Sequence, residues 1–229
     1  FDLFITYTKP NNINLFKKLF NKNIIPYLNN IQMDCTPNRG RDVAPWIIAT
    51  AHIQQNYDLF CHVHAKESSQ SEWGASWRAY LLDNLLRPEA IAATITAFSK
   101  NKKLGLTFPQ IYPYVREAIA ASNLSSYGTC CPKEYDLIIN ILERMNFQPT
   151  YGRSEQFFSA GTMFWYRPQA LKTLFTCGLK FEDFPKEPIG IDGTLAHALE
   201  RVPTIVCERS GYEVRSLTLF KNMRVLLKE

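Results

Sequence analysis

The sequence predicts an α/β architecture, a mostly parallel central sheet with helices on both faces, held in a single domain over residues 1–229. Three observations lead there. Short apolar runs alternate with segments of helical periodicity along nearly the whole chain, the order expected when crossover helices connect strands. With 46% hydrophobic and 13% aromatic residues in a chain of 229, there is ample material for a sizeable core. Neither an internal repeat nor a Ser/Gly-rich linker divides it.

Phe1 to Thr8 is a strand-like run, Leu15, Phe16, Leu19 and Phe20 recur at helical spacing, and Ile31 to Cys35 gives a short strand. Asp42 reads as the N-cap of a helix reaching Gln55, with Pro45 in its first turn and Val43, Trp46, Ile47 and Ile48 on its apolar face. Tyr57 to His64 is a strand rich in apolar residues. Trp77, Leu81 and Leu85 share one face of the next helix, and Pro88 opens another carrying Ile91, Ile95 and Phe98. Leu104 to Phe108 is a strand, followed from Pro109 to Pro132 by an irregular stretch whose length points to function. Ile138, Ile141, Leu142 and Met145 mark a helix, Phe157 to Tyr166 a strand region and Pro168 to Phe175 a short helix. Asp192 to Arg201 reads as another helix and Thr204 to Cys207 as a last strand.

The net charge of +5 is spread along the chain instead of forming runs, which argues against nucleic acid and favours an acidic small substrate or an anionic lipid surface. The six cysteines show no C-x-x-C spacing and read as the reduced thiols of a cytoplasmic protein. No apolar run approaches 18 residues. The chain starts at Phe1 inside a strand-like run, so it is expected to be part of a longer protein.

Four stretches carry candidate chemistry. In the first, Asn38-Arg39-Gly40-Arg41-Asp42, two arginines flank a glycine at an expected helix start. Arginine forks and free helix N–H groups suit phosphate or carboxylate oxygens, and the glycine lets backbone come close to a ligand. In the second, strand periodicity puts Phe60, His62, His64 and, if extension persists, Lys66 on one face and Leu59, Cys61 and Val63 on the other. Imidazoles and an ammonium at a strand's carboxyl end can hold a diphosphate or, as a His-x-His pair, a divalent metal. The third, Ser159 to Trp165, sets Ala160 and Gly161 ahead of bulky residues, which is either a cavity wall or a bulge. The fourth, Glu187 to Arg201, offers Asp192 and Glu187 as general-base candidates, with Asp192 alternatively a helix cap, and puts His197 and Arg201 one turn apart.

Together, residues 38 to 42, 64 to 66, 160 to 165 and 192 to 201 resemble the motifs of the rhamnan synthesis protein F family, in order and across nearly the whole chain. The resemblance implies a Rossmann-like, A-type glycosyltransferase fold, here lacking its first strand, and a role in rhamnose-containing cell-wall polysaccharide or lipopolysaccharide O-antigen assembly. It implies a nucleoside diphosphate sugar donor, dTDP-rhamnose, and a lipid-linked glycan acceptor at the inner face of the cytoplasmic membrane. Many A-type enzymes hold a divalent ion with Asp-x-Asp, and this chain has no such motif. The expectation is therefore an inverting transferase that requires no cofactor, with a divalent metal as the alternative. Asp192 is its expected base and Glu187 second; Lys66, Arg39 and Arg41 bind the diphosphate, with Arg201 a weaker fourth. The rivals are a metal-dependent hydrolase built on His62, His64, His197 and Asp192, and a non-catalytic nucleotide- or glycan-binding domain.

Overall fold

The computed structural model describes residues 1–9, 13–20, 25–65, 73–117, 134–148, 158–190, 193–219 and 225–228. Lys66, Asp192, Cys130, Cys131 and most of the Pro109–Pro132 connection fall outside them. The strands are β1 (Asp2–Tyr7), β2 (Asn30–Cys35), β3 (Phe60–His62), β4 (Leu104–Pro109), β5 (Phe164–Tyr166), β6 (Glu213–Leu219) and β7 (Val225–Lys228). The α-helices are α1 (Ile13–Leu19), α2 (Gly74–Leu86), α3 (Pro88–Lys100), α4 (Tyr135–Arg144), α5 (Lys172–Thr176) and α6 (Leu195–Arg209).

The strands form a parallel pair, β1–β2, and a five-stranded sheet in the order β3-β5-β4-β6-β7. This corrects the expected mostly parallel sheet: β4 and β6 run parallel, while β5 is antiparallel to both β3 and β4, and β7 to β6. Residue pattern reports burial, not direction. β4 is buried on both faces, the property of a parallel interior strand, yet one of its neighbours runs the other way.

Helices do cover both faces. Phe164 and Tyr166 join the large core with Leu106, Phe108, Leu199, Val202, Ile205 and Val206, whereas Met163 packs with Leu81 and Leu85 against Cys61 and Trp165. Alternation along β5 thus sends even-numbered side chains toward α6 and odd-numbered ones toward α2. The same alternation holds in β3, where Phe60 stacks on Tyr166 and His62 on Trp46 while Cys61 faces α2.

Three further expectations change. The helix from Asp42 to Gln55 is a π-helical turn, Pro45–Ala49, followed by a 3₁₀ segment, Ala51–Asn56. A buried chain of hydrogen bonds holds it: Trp46 Nε1 donates to Tyr166 Oη at 3.0 Å, Tyr166 Oη to Gln54 Oε1 at 3.1 Å, and Gln54 Nε2 to Thr50 Oγ1 at 2.8 Å. The strand regions at Tyr57 to His64 and Phe157 to Tyr166 shrink to β3 and β5. Thr204 to Cys207 lies inside α6, which continues through Pro203; every residue from Val202 to Cys207 is buried, so the run lacks the polar face that marks a surface helix.

Candidate functional site

The carboxyl ends of β3 and β4 and the segment entering β5 lie together, because β5 runs antiparallel between them. Three of the four motif stretches are linked there by direct contacts. His62 Nδ1 is 2.6 Å from the Thr162 carbonyl and His64 Nε2 is 2.7 Å from that of Gly161. Each of these nitrogens faces an acceptor and therefore carries its proton. His64 Nε2 also lies 3.7 Å from Asp42 Oδ2, whose side chain is 9% exposed.

Asp42 is not the expected helix cap: the π turn begins after Ala44 with no side-chain cap, and the Asp42 carboxylate points toward His64. His62, stacked on Trp46 at 4.9 Å, has its pKa lowered to about 4, chiefly by burial and also by His64, against an opposing pull from Asp42 and the Thr162 carbonyl. It stays neutral at ordinary pH. Among the described residues no group of three or more His, Cys, Asp or Glu side chains is placed to hold a metal.

Gly161 is left-handed at φ 88°, and a Cβ there would stand 3.0 Å from the Trp77 ring and 3.1 Å from Leu81 Cδ1. The residue is small because the α2 indole occupies the place of a side chain. His64, Gly161, Gly74, Trp77, Arg78, Leu81 and Met163 line a shallow, open cleft beside it. Ala160 is buried in a neighbouring cluster with Phe158 and Val115, against Trp73, Trp77, Ile111 and Tyr112.

The Arg39–Arg41 turn is fastened to the loop after residue 183. Arg39 Nη1 donates to the Phe184 carbonyl at 2.8 Å, Arg41 Nη2 to the Gly190 carbonyl at 2.8 Å, and Arg39 bridges Lys186 through the backbone. Asn38 takes part through its carbonyl, which accepts from the Glu187 N–H at 3.4 Å. Gly40 is needed for packing as well as for its φ of 66°, since a Cβ would meet Phe184 Cδ1 and Ala44 Cβ at 2.5 Å. Glu187 works here as a clamp: one carboxylate oxygen accepts the Arg41 N–H at 3.1 Å and the other the Ile189 N–H at 3.0 Å. Among the described residues no carboxylate pairs with the guanidinium of Arg39 or Arg41.

The fourth stretch is held by a residue outside it that sequence reading missed. Glu134, 0% exposed, accepts the Gly193 N–H at 3.1 Å and pairs through Oε2 with Arg201 Nη1 at 3.2 Å. The Arg201 guanidinium also lies 4.9 Å from the Phe158 ring centre and donates to the His197 carbonyl at 3.0 Å. His197 closes a capping box with Thr194, its Nδ1 accepting the Thr194 N–H at 3.2 Å. The helix cap is therefore Thr194, two residues beyond the Asp192 expected to serve. A lone glutamate ahead of a helix gave no signal of its partners.

The contacts trace most of a ring. From Asp42 they pass to His64, to Gly161, along the chain to Phe158, to Arg201, to Glu134 and to Gly193, while Arg41 holds the Gly190 carbonyl. Asn38 to Asp42, His62, His64, Ala160, Gly161, Glu187, His197 and Arg201 all lie on or beside it, and Asp192 is the residue before Gly193.

Comparison with known proteins agrees with the family resemblance. The chain belongs to the rhamnan synthesis protein F family, whose profile matches residues 1–212. The family is named for rhamnan synthesis. It is 30% identical over 181 residues to the uncharacterized protein WxcX of Xanthomonas campestris pv. campestris strain B100, and equally to that of strain ATCC 33913. Each alignment covers 79% of this chain and 24% of the relative, so the chain spans about a quarter of their length. No solved structure matches it. Among the described residues no helix is long and apolar enough to cross a membrane.

Proposed function

We propose that this chain is one domain of a longer protein and acts as a glycosyltransferase of A-type fold. It moves a sugar from a nucleoside diphosphate donor, dTDP-rhamnose, to a lipid-linked glycan in cell-wall polysaccharide or O-antigen synthesis at the inner face of the cytoplasmic membrane. The observation that supports this reading is the set of contacts joining segments far apart in sequence, beginning with His62, His64, Thr162 and Asp42 beside the carboxyl end of β3, where open α/β sheets take ligands.

In the proposed reaction Asp192 removes the acceptor hydroxyl proton, with Glu187 as second candidate. The freed oxygen forms a bond to the anomeric carbon while the bond from that carbon to the diphosphate breaks. The leaving diphosphate takes the electron pair and is stabilised by Arg39, Arg41 and Lys66. Each arginine uses one N–H on a carbonyl, and a guanidinium has five. In the hydrolase alternative a metal would have to take the opposite ring nitrogens, since His62 Nδ1 and His64 Nε2 are turned to backbone carbonyls and His197 Nδ1 to the Thr194 N–H.

Two measurements test the reading. Calorimetry with dTDP in EDTA should show binding; binding that disappears on chelation and returns with manganese would overturn the metal-independent site. Asp192→Asn should keep the melting temperature, because Thr194 caps α6, while transfer falls about a hundredfold or more, the scale of a general base. If Asp192→Asn transfers normally and Glu187→Gln does not, the base is Glu187.

A further inference from the structure

A carboxylate taken fully out of water is costly unless paired, and an apolar pair of similar volume usually gives equal or better stability. Glu134 is such a group, and its partners are specific: Oε2 meets Arg201 and Oε1 receives the N–H of Gly193, a residue held at φ 83°. It is also the first residue of the turn into α4, its carbonyl accepting the Ile138 N–H at 2.8 Å. The side chain therefore ties the start of α4 to the residue that follows Asp192 and, through Arg201, to α6 and the Phe158 ring. These are three of the elements bordering the ring of contacts. Stability alone gives no reason for this choice; fixing one loop geometry does.

We infer that Glu134 and Arg201 are a positioning pair, which fixes Gly193 and the Thr194 start of α6, next in sequence to the proposed base, and leaves diphosphate binding to the cations of the Arg39–Arg41 turn. The inference rests on the proposed transferase reading for its catalytic half. With its charge facing a buried carboxylate and its fork on the His197 carbonyl, Arg201 is a poor fourth ligand for a second anion.

The test is the double substitution Glu134→Met/Arg201→Met in the full-length protein, which removes both charges without leaving one buried alone. The melting temperature should stay at or above that of the wild type. The Gly193 amide, deprived of its acceptor, should exchange at least about tenfold faster while the Val202 amide in α6 keeps its protection. Turnover with dTDP-rhamnose should fall at least about tenfold with the donor KM within about threefold, the split expected when only transition-state geometry is lost. Unchanged Gly193 exchange overturns the positioning role, as does faster exchange with normal turnover. A raised donor KM with normal turnover would return Arg201 to the diphosphate. A wild-type protein that transfers no sugar would sink the transferase reading instead, and the exchange measurement would still decide whether Glu134 holds the loop.

Discussion

Arg41 and Arg201 are both motif arginines beside the same ring of contacts, yet their surroundings differ in kind. Arg41 is half-buried, bonds one carbonyl, and has no carboxylate on its guanidinium among the described residues. Arg201 has a side chain only 16% exposed, a buried glutamate at 3.2 Å, an aromatic ring under its guanidinium and a carbonyl on its fork. An arginine in a motif is thus not a functional statement; what its N–H groups already bond decides whether it can receive a ligand. In the proposed reading the first receives the incoming anion, while the second holds protein to protein.

The largest expected effect breaks the second site. Arg201→Ala should lower stability by about 3–5 kcal/mol, because it strands the Glu134 charge in the interior. For a chain of this size that corresponds to a drop in Tm of roughly ten degrees, read by thermal unfolding. Arg41→Ala should behave in the opposite way: dTDP binding weakens about ten- to a hundredfold, as for loss of a charge-assisted hydrogen bond, while stability changes by about 1 kcal/mol or less. If the two variants exchange these signatures in calorimetry and melting curves, the comparison is wrong.

Glu187→Gln sharpens the first site further. It removes the charge from two hydrogen bonds to backbone N–H groups, and should cost about 1–2 kcal/mol and loosen the Arg41 turn, so that dTDP affinity falls with stability. The smallest effect is in pH. His62 ionises near 6.5 when unfolded but near 4 in the fold, so between those values the unfolded chain takes up a proton that the native protein refuses. Stability is whole above pH 6.5 and declines as pH falls toward 4. Because the imidazole keeps some contact with solvent, the loss should be about 1–2 kcal/mol, less than the full shift implies. Denaturant titrations at pH 7 and pH 4.5 read it, and His62→Gln should flatten that component.

How far these sites were legible in the sequence follows from what each depends on. The turn at Gly40 was visible because two arginines around a glycine are unusual in any fold, and the alternation of Phe60, Cys61 and His62 was readable from period alone. The direction of β5 was not, since no residue type encodes whether a strand runs up or down. Thr204 to Cys207 read as a strand because β-branched residues follow a proline, but burial on every side removed the signature that would have shown a helix. Asp42 and Asp192 both looked like caps, the commonest role of an aspartate ahead of a helix; the structure turns the first toward His64 and gives the other's expected place to Thr194. Glu134 depends on partners 59 and 67 residues away, a separation that local pattern cannot span.

The insertion of β5 between β3 and β4 also governs how the chain is born. His62 waits for Phe164, about a hundred residues downstream, before its strand has a neighbour in the five-stranded sheet. At translation speeds of about 5–20 residues per second, that leaves β3 without its partner for roughly 5–20 seconds on the ribosome, and β4, which ends at Pro109, for about half as long. During that interval the apolar residues that share the large core, Phe60, Leu106 and Phe108 among them, must be shielded by the earlier Trp46–Ile47 segment or by a chaperone, because α2 covers the opposite face and α6 is not yet made. Nascent chains arrested before residue 164 should therefore be caught by chaperones and cut by proteases, and those released past Tyr166 should begin to resist both.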